Sequence, residues 1–251
     1  MTSAPSDGPT DARPGLGRML RRIGSLFGAR VGGTVLMLAY TVLLIDTVDK
    51  PAVGLLMNGL AVMLLGAIAI SGNLEAVAIR FVVRYATQDD GAALAGFARF
   101  GLGFQAAAAA AMVLAVAALA ASGVIDPATE AGRVTAFALL GTPVVAAARR
   151  LSGLSGALDA IVRANLPVAL GFPALLCARL LAYRALDLPG RADALMAMVV
   201  AAHAIASVLV LVLTRRATAP TRVQAPVFGE WRHWLRSGAM LAPHIVLRGN
   251  L

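Results

Sequence analysis

The residues best equipped for chemistry are arginines set among apolar neighbours. Arg179 stands inside the apolar run 166–185, and an ionised group at such depth faces a wet cavity or a partner. A guanidinium so placed can hold a phosphate by charge-assisted hydrogen bonds. The plainer alternative is that it bends past Tyr183 towards the headgroups. Arg80 and Arg84 are about one helical turn apart, point the same way and adjoin Tyr85. They line a cytoplasmic mouth as anion contacts, or they only hold that helix end inside. The second, plain reading also serves Arg149 and Arg150. Arg179, Arg80 and Arg84 are therefore the candidate substrate-binding residues.

Other reactive types are sparse. Asp46 and Glu75 sit at the ends of apolar runs. Glu75 has apolar Ile79 one turn on and stands five residues before Arg80, a poor spacing for a helical ion pair. It is left without a role. His203 is the lone titratable group in the run 194–214, and such a histidine is usually a packed, hydrogen-bonded side chain. His203, His233 and His244 have no metal-ligand spacing, so no metal is expected. No GxxxxGK[ST] occurs. Gly101-Leu102-Gly103 lacks the preceding strand and third glycine of a dinucleotide fingerprint, and Gly153-Leu154-Ser155-Gly156-Ala157 lacks the closing glycine of a nucleophile elbow. The expectation is no enzyme and no cofactor. Cys177, the single cysteine, reads as a small packing residue.

The elements that must position these residues are long apolar helices. The 251 residues are 59% hydrophobic and 14% charged, with mean hydropathy +0.79, where a soluble domain carries about 25% charge. The formal charge of +9 would suit nucleic acid, but the basic residues fall between apolar runs and only 5% of residues are aromatic. Membrane topology explains them, and nucleic acid is excluded as a partner. The runs 31–45 and 51–74, parted by Asp46 to Lys50, form a hairpin, the first lengthened by residues 27–30. A polar turn at Gln88 to Gly91 and an amphipathic lead bring in a third span at 100–125. Its stripe of Gly103, Ala107, Ala111 and Ala115 predicts an interior, closely packed helix. A fourth run, 134–148, contains Pro143, a kink signal, and ends at Arg149-Arg150. Residues 151–164 read as a cytoplasmic connection, followed by spans at 166–185 and 194–214.

Residues 1–15 have the composition of a disordered cytoplasmic tail. Residues 16–27 place apolar and basic residues as in an interfacial helix, and Gly24, Gly28 and Gly32 offer a small-residue face. The six-helix lobe covers 16–214. A cytoplasmic interfacial linker, 215–236, carries Phe228, Trp231 and Trp234 between basic residues. Residues 237–251 begin a seventh helix too short to span, and the expectation is that the chain is the front part of a longer protein. With the N-terminus inside, only Lys50, Arg133, Arg184 and Arg191 of the 22 basic residues fall outside, while Arg179 and Arg248 lie within runs. The expectation is an all-α polytopic transmembrane bundle of six spans plus the start of a seventh, in the cytoplasmic (inner) membrane, with the N-terminus cytoplasmic.

The segment Gly72-Asn73-Leu74-Glu75-Ala76-Val77-Ala78-Ile79-Arg80-Phe81-Val82-Val83-Arg84-Tyr85 resembles the end of the second helix in the oligosaccharide flippases of bacterial polysaccharide biosynthesis. These belong to the superfamily that includes multidrug extruders. The hairpin with Gly54 and the passage from Arg149 to Pro173 are similar in character. The resemblance implies two lobes around a cavity that opens alternately to each side, where cationic residues receive a polyprenyl-diphosphate-linked glycan, and it makes this chain the N-terminal lobe. Membrane lipid, a second lobe and polysaccharide-assembly proteins are the partners it implies. The alternatives are a cation-coupled extruder of the same superfamily, and a non-transporting membrane subunit or truncated remnant.

Overall fold

The computed structural model describes residues 16–186, 188–219 and 224–248. The tail 1–15 expected to be disordered lies outside the described residues. Nine α-helices can be followed among the described residues: α1 Leu16–Thr47, α2 Lys50–Ser71, α3 Leu74–Thr87, α4 Gly91–Ala121, α5 Glu130–Ser155, α6 Ile161–Leu166, α7 Phe172–Ala185, α8 Ala192–Thr214 and α9 Trp231–Arg248. No strand occurs among the described residues. Six segments are long and apolar enough to cross a membrane: Ile23–Thr47, Lys50–Thr87, Gly91–Ala121, Glu130–Leu158, Ile161–Ala185 and Ala192–Thr214. The chain is an all-α bundle with the segments of a multi-pass membrane protein. Its surface agrees, since Phe27, Leu38, Leu65 and Leu114 are exposed as lipid-facing side chains would be.

Local chemistry sets the helix ends. Pro51 occupies the first turn of α2, where its missing N–H costs nothing. Gly72 and Asn73, both at positive φ (57° and 51°), end α2 and separate it from α3. The Asp90 side chain accepts from the Ala93 N–H at 2.9 Å to cap α4, and Thr129 accepts from Gly132 at 3.1 Å to cap α5. The expected turn at Gln88 to Gly91 is present, with Asp89 at φ 53°.

Helix α5 is the hub. It packs on α2, α8, α4 and α3. Gly59 and Gly66 of α2 and Gly141 of α5 leave no room for a Cβ against Val134, Thr142 and Val200, so these crossings are close. The main apolar cluster includes Tyr40, Leu44, Leu56, Met63, Leu176, Leu195, Met196 and Val199. A second cluster gathers Phe81, Val82, Tyr85, Leu94, Phe97 and Trp234 where α3, α4 and α9 meet.

Three expectations are corrected. Helix α4 is peripheral, and Gly103, Ala107, Ala111 and Ala115 are exposed. Small residues permit close packing but do not compel it, and the contacts of α4 are made instead by its buried Leu94, Phe97, Gly101 and Gln105. Residues 151–164, read as a connection between spans, are helical, continuing through π-helical turns at Gly156–Ala160 and Pro167–Gly171 into α7. The interfacial segment and the seventh apolar run are one helix, α9, beginning at Trp231.

Candidate functional site

The chain enters α1 at what we term the near end of the bundle, and the charged residues form two bands. At the far end Asp193, nearly buried at the start of α8, receives Arg133 Nε of α5 at 2.6 Å and Arg191 Nη2 at 2.7 Å. Glu130 accepts the Ala192 N–H at 2.6 Å, and Arg184 of α7 pairs with Asp46 of α1. Arg191 is stabilised in its charged form, first by its hydrogen bond to Asp193. These pairs tie together the helix ends of α1 with α7 and of α5 with α8.

The near-end band lies about 24 Å further along α5 at 1.5 Å per residue, close to a hydrocarbon thickness. Here Arg149 Nε donates to Glu75 Oε1 at 2.9 Å. The pair can form because Gly153 lets α5 approach the backbone of Glu75, whose carbonyl oxygen would be 2.8 Å from a Cβ. Glu75 lies in the first turn of α3, where a carboxylate is favoured by the helix dipole. Its side chain is 11% exposed, and its Oε2 is buried with no hydrogen-bond partner. On the next residue, Arg150 Nε donates to Gln105 Oε1 at 2.8 Å, and Gln105 Nε2 reaches the Pro143 carbonyl at 3.4 Å.

Glu75 and Arg149 stand at the head of a cleft of about 470 Å³. Its wall includes Ser152, Asn165 and, deeper, His203, with Leu64, Ile79, Val145, Ile161 and Val168 supplying apolar lining. Leu64, Ile79 and Ile161 are exposed, so lipid-facing side chains rim the opening. His203 Nδ1 lies 3.0 Å from the Val199 carbonyl, which makes it the donor, and the ring packs on Phe172 with centroids 4.0 Å apart. Asn165 Nδ2 donates to Ile161 at 2.8 Å.

The three arginines singled out in the sequence do not converge. Arg179 is exposed on α7, its guanidinium 5.8 Å from the Tyr183 ring centroid, in a groove between α7 and α8. Arg80 is exposed on α3, 5.9 Å from the Phe81 ring centroid. Arg84 is engaged at the residue preceding α9, where its Nη2 donates to both Glu230 oxygens at 2.6 and 2.5 Å. Tyr85 OH donates to Glu230 Oε2 at 2.7 Å and accepts from Trp234 Nε1 at 2.8 Å. Trp234 is wholly buried, edge-on to Phe97 at 5.5 Å.

Sequence reasoning passed over the Glu75–Arg149 pair, because the partners are on different helices. The available signal was opposite charge at matched depth on two spans. No group of three or more His, Cys, Asp or Glu able to hold a metal occurs among the described residues. No family model, curated protein or solved structure matches the chain.

Proposed function

We propose that the chain is one lobe of a membrane transporter that moves a lipid-linked oligosaccharide across the cytoplasmic membrane for polysaccharide biosynthesis. The observation that carries this reading is the near-end cleft: a guanidinium and a carboxylate at its head, an apolar floor, and an opening rimmed by exposed apolar side chains. A polar headgroup cannot cross hydrocarbon unaided, so a charged cleft replaces its hydration while the lipid tail stays among acyl chains. The far end is fastened by ion pairs between helix ends, and at the near end the cleft opens beside the Glu75–Arg149 pair. In this reading Arg149 meets the diphosphate first, and Arg179, Arg80 and Arg84 are further anion contacts along the route.

The test is export of the glycan in cells, or translocation of a fluorescent polyprenyl-diphosphate glycan in vesicles. Charge reversal at Arg149 or Arg179 is expected to stop movement while the protein still inserts. Normal translocation in both variants removes the reading. A cation-coupled extruder is favoured by one observation, the largely buried Glu75 carboxylate in the cleft, which could carry the ion at the near end of the bundle. Drug efflux abolished by Glu75→Gln, with glycan export unaffected, would select it.

A further inference from the structure

We infer that the Glu75–Arg149 cleft is a binding site for an aminophospholipid of the near-end leaflet, a resident lipid whose phosphate sits on Arg149 and whose ammonium reaches Glu75. The inference stands apart from transport, because it concerns the lipid that fills the cleft when no cargo does.

The first ground is the unfinished hydrogen bonding of the pair. Arg149 spends only Nε on Glu75, and its two Nη groups make no hydrogen bond among the described residues. The side chain keeps 34% of its surface open, so a two-pronged donor faces the cleft, the geometry that suits a phosphate. Glu75 Oε2 is the reverse: buried in the cleft wall and without a donor. An unsatisfied carboxylate oxygen in a low-dielectric wall is costly, and a small rotation of the carboxylate towards an N–H donor in the cleft relieves it. Donor fork and orphan acceptor belong to adjoining side chains, so the ligand they fit carries phosphate and N–H donor a few bonds apart.

The second ground is charge balance. Glu75 and Arg149 together are neutral, so a zwitterion adds no net charge to the cleft. An anionic lipid headgroup would leave one negative charge that this pair alone does not compensate, whereas an anionic cargo draws on the further arginines of its route. Phosphatidylethanolamine meets the condition. Phosphatidylcholine has the same charges but no N–H to offer Glu75, and phosphatidylglycerol has hydroxyl donors but a net negative charge.

The third ground is position. Arg149 lies about 24 Å along α5 from the far-end band, so the pair stands at the level of one headgroup layer. Below it the lining turns apolar through Val145, Leu64 and Val168, giving acyl chains a course towards mid-membrane. Exposed Ile79 and Ile161 flank the opening, which lets a lipid enter sideways.

Native mass spectrometry of the full chain in detergent, titrated with dioleoyl phosphatidylethanolamine, phosphatidylcholine and phosphatidylglycerol, tests this. Phosphatidylethanolamine is expected to be retained about tenfold over either other lipid, the ratio that one charge-assisted hydrogen bond supplies. Arg149→Gln should lower retention of phosphatidylethanolamine, and Glu75→Gln should erase its advantage over phosphatidylcholine. Ile79→Trp leaves both charges in place and obstructs the opening, so it should also release the lipid and serves if either charge variant misfolds. Equal retention of the three lipids by the native chain overturns the inference, as does a preference for phosphatidylethanolamine that survives Ile79→Trp. Failure of glycan translocation with lipid preference intact would sink the transport reading alone.

Discussion

Glu230 is a single carboxylate that fastens helix α9 to the bundle. The Tyr85 hydroxyl donating to it does most to hold it below its ordinary 4.5, partial burial opposes the shift, and Arg84 adds to the lowering. A carboxylate whose folded value is depressed contributes stability that is present above its unfolded value and lost as pH falls through the folded one. The docking of α9 should therefore weaken below pH 4.5. Because Arg84 and Glu230 are 37% and 44% exposed, solvent screens the pair, and its loss costs at most about 1 kcal/mol. Trp234 reports the event, since its indole donates to the same Tyr85 hydroxyl. Acidification from pH 6 to 3 is expected to shift Trp234 emission to the red in the native chain, and Glu230→Gln should lack that step. An identical titration in the variant would show that Glu230 does not govern the helix. The sequence offered Phe228, Trp231 and Trp234 as interfacial aromatics; Phe228 and Trp231 are exposed, but Trp234 is buried against α3 and α4. Periodicity gives the face of a residue, not the partner waiting for it.

Among the elements, α1 is the most dependent on one contact. It packs mainly on α7 and on the Pro167–Gly171 turn, and little on α2. Gly33 makes this possible, because a Cβ there would strike the Ala169 carbonyl. Gly28, a member of the small-residue face read from the sequence, has nothing within 4 Å of a Cβ position. Gly33→Leu should therefore destabilise the bundle by about 1–3 kcal/mol through overpacking, while Gly28→Leu should change it by no more than about 0.5 kcal/mol. Thermal melting in detergent distinguishes them, and equal losses would show that the face at Gly24 and Gly28, open in the structure, is packed after all. The number and order of spans were legible, because each depends on local apolar length alone. The packing faces were not. The exposed Gly103 to Ala115 stripe and the close approach at Gly33 have the same residue types, and what separates them is a tertiary neighbour. The π-helical turns were hidden for a related reason: Gly156 and Pro167 disturb a helix without ending it when flanking turns remain satisfied.

At the scale of the whole molecule the charges define a direction. The far band is made of pairs, Arg133 and Arg191 with Asp193 and Arg184 with Asp46, whereas Arg80, Arg215 and Arg216 at the near end have no ion pair among the described residues. A cytoplasmic face is marked by excess arginine rather than by net charge, so the near end is expected to face the cytoplasm and the cleft to open there. Single cysteines placed in a Cys177→Ala background check this. Ser122, in the turn after α4, and Gln88, in the turn before it, are both exposed and lie at opposite ends of α4, about 45 Å apart along the helix. A membrane-impermeant maleimide added to intact cells should label Ser122→Cys at once and Gln88→Cys only after permeabilisation. The reverse pattern would turn the cleft to the outside and oppose uptake of a cargo made in the cytoplasm. Labelling of both from outside would mean that α4 does not cross the membrane, and because α4 and α5 share the Arg150–Gln105 contact, the six-span arrangement would fall with it.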